Sequence, residues 1–163
     1  MNIKEEFKME QIILTEQGKK ELEQRLKELR NELIPAVVQR IKTAREQGDL
    51  SENAEYHSAR DEQGKLEGEA LEIETKLKHG VVVVSKANGA VQIGTKVKYL
   101  DIDENEEFIF TIVGTAEADF TKNRISIESP VGQAILNKKA GDVCNVKIPK
   151  GGEYQIKILE IIE

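Results

Sequence analysis

The sequence predicts an α+β protein in two parts. A long N-terminal antiparallel α-helical hairpin with coiled-coil packing is followed by a small antiparallel β-sheet domain with one short helix. Three observations predict this. Apolar residues recur in steps of three and four from Leu22 to Ala44 and again from Tyr56 to Leu77, which is the seam of a coiled coil. Facing members of the two runs keep a nearly constant total of positions, as an antiparallel hairpin requires. Positions 44 with 56, 41 with 59 and 37 with 63 total 100, while 33 with 66, 29 with 70, 26 with 73 and 22 with 77 total 99. Beyond Gly80 the period changes to two, with Gly, Asn and Asp as separators, the mark of short strands and turns.

The elements follow in order. Residues 1–11 are mostly charged and are expected to pack loosely. Ile12-Ile13-Leu14 reads as a short strand or as a hydrophobic staple, with Thr15 as N-cap and Gly18 tolerated in the first turn. The first helix runs to about Gln47; at ~1.5 Å per residue it would be a rod roughly 45–50 Å long, reaching well beyond a small globular partner. Pro35 lies inside it. An interior proline removes a backbone hydrogen bond at a cost of ~3 kcal/mol or more, so a kink or local break is expected near residues 31–35. Gly48 suits the left-handed position after a helix end. The second helix starts between Asp49 and Asn53, runs to about His79 and ends at Gly80. Val81 to Val84 reads as a strand and Ser85 to Gly89 as a loop. The domains are therefore placed at 1–84, a coiled-coil finger with an acidic tip near 49–52, and 85–163, a globular domain. Strands are expected over 95–102, 106–114, 123–129, 142–149 and 153–162, with a helix from Pro130 to Lys138 capped by Ser129.

Composition narrows the function classes. Charged residues make up 33% of the 163 residues and aromatics 4%, with no Trp, which suits an exposed helical rod better than one aromatic-rich core. Net charge is −6, with 14 basic against 18 acidic groups in residues 1–84 and 10 against 12 in residues 85–163. Such a chain does not bind duplex DNA by bulk electrostatics, because phosphate neutralisation needs clustered Lys and Arg. Cys144 is the only cysteine, which excludes an intrachain disulfide and thiolate zinc sites. The N-terminus lacks a secretory signal core and the longest aliphatic run is Val81 to Val84, so a cytoplasmic protein with no membrane partner is expected. His57 and His79 have no partner at metal-ligand spacing and read as surface or seam residues.

The chemistry concentrates in Gln47-Gly48-Asp49-Leu50-Ser51-Glu52-Asn53, where the hairpin turns. Asp49 and Glu52 have the spacing of a capping box, the commonest reason for such a pair at a helix start. The alternative is metal. Mg²⁺ is typically held by one or two carboxylates together with waters and substrate phosphates, so two acids at a hairpin tip make a poor site alone but can complete one on a partner.

The block from Ala44 to Arg60, AREQGDLSENAEYHSAR, resembles the finger tip of the GreA/GreB family of bacterial transcript-cleavage factors. Leu14-Thr15 with Gly18, Glu67-Gly68, Ile112-Val113-Gly114, Glu117-Ala118-Asp119, Ser126 to Pro130 and Gly151 to Ile156 extend the resemblance over residues 12–163. It implies a transcription elongation factor that is not itself an enzyme. In that family the finger enters the secondary channel of RNA polymerase, into which a backtracked RNA 3′ end is extruded. The tip helps hold Mg²⁺ in the polymerase's active centre, and the polymerase cleaves its own transcript. By position Asp49 and Glu52 are the acids, supplied in trans and sharing Mg with the polymerase. Asn53 and Tyr56 support them, with Glu55 a weaker candidate. Arg45 and Arg60 match basic positions associated with RNA or polymerase contact; Arg40, Lys42 and Lys65 are weaker candidates for the same face. Leu33-Ile34 stands where basic residues often precede the proline, which favours a GreA-like reading over the more basic GreB type. The resemblance also implies an FKBP-like fold for the second domain, docking on the polymerase rim, and a monomer with no stably bound cofactor. Prolyl isomerisation is not expected, and Tyr99, Phe108, Phe110, Phe120 and Tyr154 read as core. The competing readings are an inhibitor that occupies the channel without promoting cleavage, and a coiled-coil scaffold unconnected with polymerase.

Overall fold

The structure is a computed structural model that describes residues 11–48, 53–86 and 88–162. The expectations for the first ten residues and for Asp49 to Glu52 fall outside the described residues. The chain forms two compact units, Lys19–His79, and the remainder composed of the segment up to Gly18 with everything from Gly80 on.

Strand β1 (Ile12–Leu14) leads into helix α1 (Glu16–Glu28). Thr15 is the N-cap: its Oγ1 accepts from the Gly18 N–H at 2.9 Å. The first helical run then passes through a π-helical turn, Leu29–Leu33, into α2 (Ile34–Glu46). In that turn the Ile34 N–H donates to the Leu29 carbonyl, five residues back. The expected site of disruption is thus a widened turn, not a break. The wider turn makes room for the Pro35 ring, which in an α-helix collides with the carbonyl four residues earlier. Helix α3 (Ala54–His79) returns antiparallel to α2.

The hairpin core is the predicted seam. Leu29, Val37, Ala59 and Ala70 are almost fully buried, and Ile41, Ala44 and Ile73 nearly so. It divides into two clusters. One is built on Leu29, Ala70 and Ile73, the other on Val37, Ile41 and Ala59, and Leu66 touches both. Arginines of the first helical run bridge to glutamates of α3 along its flanks. Arg25 makes a two-pronged contact with Glu69 at 2.7 and 3.1 Å, and Arg30 reaches Glu74 at 2.6 Å. The hydrogen bond from Arg25 holds the Glu69 carboxyl below the usual carboxylate range. Both side chains of that pair are about two-fifths exposed, so the bridge contributes at most about 1 kcal/mol.

Strand β2 (Gly80–Val82) pairs in parallel with β1. All five strands expected beyond it form, as one sheet: β3 (Lys96–Asp101), β4 (Glu106–Val113), β5 (Arg124–Ser126), β6 (Val143–Lys147) and β7 (Glu153–Ile162), in the order β5-β4-β3-β7-β6. Three of its pairings are antiparallel, whereas the edge pair β4–β5 is parallel. Two short 3₁₀ turns between these strands, Thr115–Glu117 and Phe120–Lys122, carry the chain back to start β5 in the same direction as β4. Helix α4 (Pro130–Ile135) starts as predicted, with Ser129 Oγ accepting from the Gly132 N–H and proline in its first turn. The sheet buries Val97, Ile112, Val146, Ile156 and Ile158 with Ile135 of α4. Strand β6 shows the period of two plainly: Cys144 and Val146 are buried between exposed Val143, Asn145 and Lys147.

One joint ties the start of α1 to this domain. Glu117, buried at 9% exposure, accepts from the Thr15 backbone N–H at 2.7 Å and from the Thr15 hydroxyl at 2.6 Å. A carboxylate at a helix N-terminus satisfies orphan donors and opposes the positive end of the helix dipole. A Cβ on Gly18 would lie 1.4 Å from Glu117 Oε1, and one on Gly114 would lie 1.9 Å from the Ile13 carbonyl oxygen. A side chain at position 18 would therefore displace the Glu117 carboxylate, whereas one at position 114 would meet backbone.

Candidate functional site

The tip is held from the two helix ends. Helix α2 closes at Gln47, whose N–H reaches the Ala44 carbonyl at 3.3 Å. Gly48 follows with φ +133°, a conformation that L side chains rarely adopt. On the other side the N-cap of α3 is Asn53. Its Oδ1 accepts from the Tyr56 N–H at 3.1 Å, and its Nδ2 donates to the Ala44 carbonyl at 2.7 Å. One side chain thus satisfies a free donor at the start of one helix and gives the Ala44 carbonyl, at the end of the other, a second donor beside the Gln47 N–H.

The described cap of α3 is therefore Asn53, while the capping box read at Asp49 and Glu52 falls on residues outside the described ones. Asn53 was readable as a cap, since Asn directly before a periodic apolar run is a helix-start signal. Its second bond, to the opposite helix, had no local signature.

Tyr56 is half-buried against Val37, Ile41 and Ala59, and its ring meets His57 edge-on at 5.5 Å. His57 is exposed. Arg45 is exposed in the last turn of α2. Arg60 is exposed on α3 and donates to Gln63 Oε1 at 3.0 Å, while Gln63 Nε2 donates to Glu67 at 2.9 Å. Arg40 donates to Glu55 Oε1 at 2.9 and 3.1 Å and to Glu62 at 2.5 Å, clamping α2 to α3 roughly two turns before α2 ends. The same clamp accounts for Glu55, which neutralises a cation of its own hairpin. Lys42 and Lys65 are exposed and remain with Arg45 and Arg60 on the outer surface.

Asp49 and Glu52 lie outside the described residues, in the segment joining Gly48 to Asn53. Among the described residues no group of three or more His, Cys, Asp or Glu side chains is arranged to hold a metal ion. Two carboxylates match the one or two that Mg²⁺ takes when phosphates and waters complete its octahedron, so the donor chemistry fits a shared site.

The sheet domain carries a second feature. Tyr99, Phe108, Phe110, Phe120 and Tyr154 line a cavity of about 540 Å³, together with Asp101, Asp119 and Arg124. Tyr99 and Phe110 are buried in the core with Phe108 and Tyr154 packed against it, as expected, whereas Phe120 departs from that expectation: it is 74% exposed, with its ring 5.2 Å from Phe110. Burial, reinforced by Tyr154 and Asp101, pushes the Tyr99 hydroxyl up to about 12, so it is a neutral hydrogen-bonding group at ordinary pH. The Asp119 carboxyl is held below its ordinary range by the hydrogen bond from the Thr121 hydroxyl, which fixes the turn bearing Phe120. The sequence supplied the ring types but not their convergence, because they come from β3, β4, β7 and a 3₁₀ turn. No helix among the described residues is long and apolar enough to cross a membrane.

Comparison with known proteins follows this division of the chain. Residues 12–82 match the N-terminal family model of transcription elongation factors, and residues 86–163 match the GreA/GreB C-terminal one. The chain is 46% identical over 149 residues to the transcription elongation factor GreA of Macrococcus caseolyticus, covering 91% of this chain and 94% of the relative. It is 45% identical over 150 residues to GreA of Streptococcus suis, covering 91% and 93%. Among solved structures it is similar to GreA factor homolog 1 of Thermus thermophilus, at 25% identity and a TM-score of 0.44, covering 94% of this chain and 99% of the other. Both family models and relatives of this identity over nine-tenths of the chain lead to one conclusion: the chain belongs to the GreA/GreB family of transcription elongation factors.

Proposed function

We propose that this protein acts on bacterial RNA polymerase by bringing Asp49 and Glu52 to the polymerase's active centre through the secondary channel, where they promote cleavage of a backtracked RNA by the polymerase itself. The observation that carries the proposal is the closure of both helix ends by Asn53. Among the described residues the cap of α3 is Asn53, which supports a reading in which the two acids serve a partner. Asn53 and Tyr56 act as positioning residues, one by joining the helix ends and the other by packing the last layer of the seam. Arg45 and Arg60 attract RNA phosphates or an acidic channel wall. Mg²⁺, when held jointly by these acids and the polymerase, supplies charge neutralisation and an activated water to phosphodiester hydrolysis. The chain contributes ligands and contacts and is not itself the nuclease.

The experiment is the fate of RNA in a defined backtracked complex. The factor is expected to shorten the RNA from its 3′ end and restore extension. RNA of unchanged length with extension blocked would establish the channel-inhibitor reading instead.

The sheet domain supplies docking in this reading, supported by the aromatic cavity with Phe120 at its rim. Aromatic anchors that fill or frame such pockets carry much of an interface's energy. Phe120→Ala is therefore expected to weaken polymerase binding roughly tenfold or more, while saturating factor restores cleavage. Unchanged affinity would move docking to another face.

A further inference from the structure

The positions of facing seam residues total 100 near the tip and 99 towards the base. The step falls between Leu33 and Val37, immediately after the π turn Leu29–Leu33 and in the first turn of α2. The two apolar clusters also divide at this level.

We infer that the π turn at Leu29–Leu33 absorbs one surplus residue of the first helix, so that both halves of its apolar face meet the same face of α3. A run of α-helix with that residue retained would turn the tip half by roughly 100° relative to the base. Val37, Ile41 and Ala44 would then leave the seam, and the Ala44 carbonyl would leave Asn53. Pro35 lies two residues past the turn and lacks the N–H that an uninterrupted α-helix would use, so it opposes that alternative. The device positions the tip; its chemistry is register, independent of what the tip later binds.

Two one-residue deletions at the same level of the hairpin test this with opposite expectations. Deleting exposed Glu32 together with Pro35→Ala removes the surplus residue and the obstacle to an α-helix. This variant is expected to unfold cooperatively at or above the parent's midpoint, with amides of Val37 to Ala44 still protected from hydrogen exchange. Deleting exposed Lys65 on α3 instead widens the step to two residues. Its midpoint is expected more than about 10 °C below the parent's, with protection at Val37 to Ala44 lost. The inference is overturned if the Glu32 deletion with Pro35→Ala falls as far as the Lys65 deletion or does not fold. It is equally overturned if the Lys65 deletion is tolerated.

Discussion

Replacing Asp49 and Glu52 together by Ala is expected to abolish stimulated cleavage, a loss of at least about a hundredfold, while polymerase affinity changes less than about twofold. The size follows from the role proposed. A factor of ten in rate is about 1.4 kcal/mol, and two carboxylates that help seat a divalent cation each contribute at least that much. The selectivity follows from the structure. The cap of α3 is Asn53, and the last seam layers are Ala44, Tyr56, Ile41 and Ala59, so none of the hairpin's described supports is altered. RNA length in a stalled complex, measured beside competition binding and thermal melting, separates the outcomes. Full stimulation by the double variant would reject the tip mechanism, and loss of binding would show that the tip is an anchor.

Glu117→Ala is expected to be the most damaging single polar substitution in the sheet domain, at about 2–4 kcal/mol. It removes the acceptor of two short hydrogen bonds and leaves the Thr15 N–H and hydroxyl without the carboxylate in a buried site. It also withdraws a negative charge from a helix N-terminus and opens the space against Gly18. For a unit of about 100 residues this corresponds to a fall of roughly 8–20 °C in melting temperature. Differential scanning calorimetry checks it; a change below about 2 °C would mean that the joint is incidental. Gly18→Ala should fall in the same direction, because its Cβ meets the carboxylate the joint is built from.

The hairpin was legible because its information is periodic and local. Leu29, Val37, Ile41, Ala59, Ala70 and Ile73 are buried where the step of three and four places them. The step from 100 to 99 was also visible in the residue numbers, yet Pro35 alone suggested a kink or break. The same two signals together specify a π turn with the helix continuing. Strands β3 to β7 were legible from alternation, and α4 from Ser129-Pro130. Contacts between distant segments were not. Thr15 and Glu117 are 102 positions apart, and nothing beside Glu117 marks it as a helix cap. The parallel pairing of β1 with β2 joins three-residue strands that flank the hairpin, too short for a period to register. The aromatic cavity fails for the same reason: burial is a property of each ring, but a shared concavity depends on how four elements meet. Arg40 illustrates the remaining difficulty. A cation near an expected RNA-facing surface has the same sequence signature whether it contacts phosphate or, as here, two glutamates of its own hairpin.

Tip carboxylates that help to hold the cation used in cleavage must change the magnesium dependence of cleavage when one of them is neutralised. The rate of RNA shortening in one defined backtracked complex is measured against Mg²⁺ concentration at saturating factor, for the parent and for Asp49→Asn. Removing one ligand charge is expected to raise the half-saturating Mg²⁺ roughly tenfold or more, since even indirect supports of a metal site are worth that much. A half-saturating Mg²⁺ and maximal rate both unchanged by Asp49→Asn would show that Asp49 does not help to hold the cation.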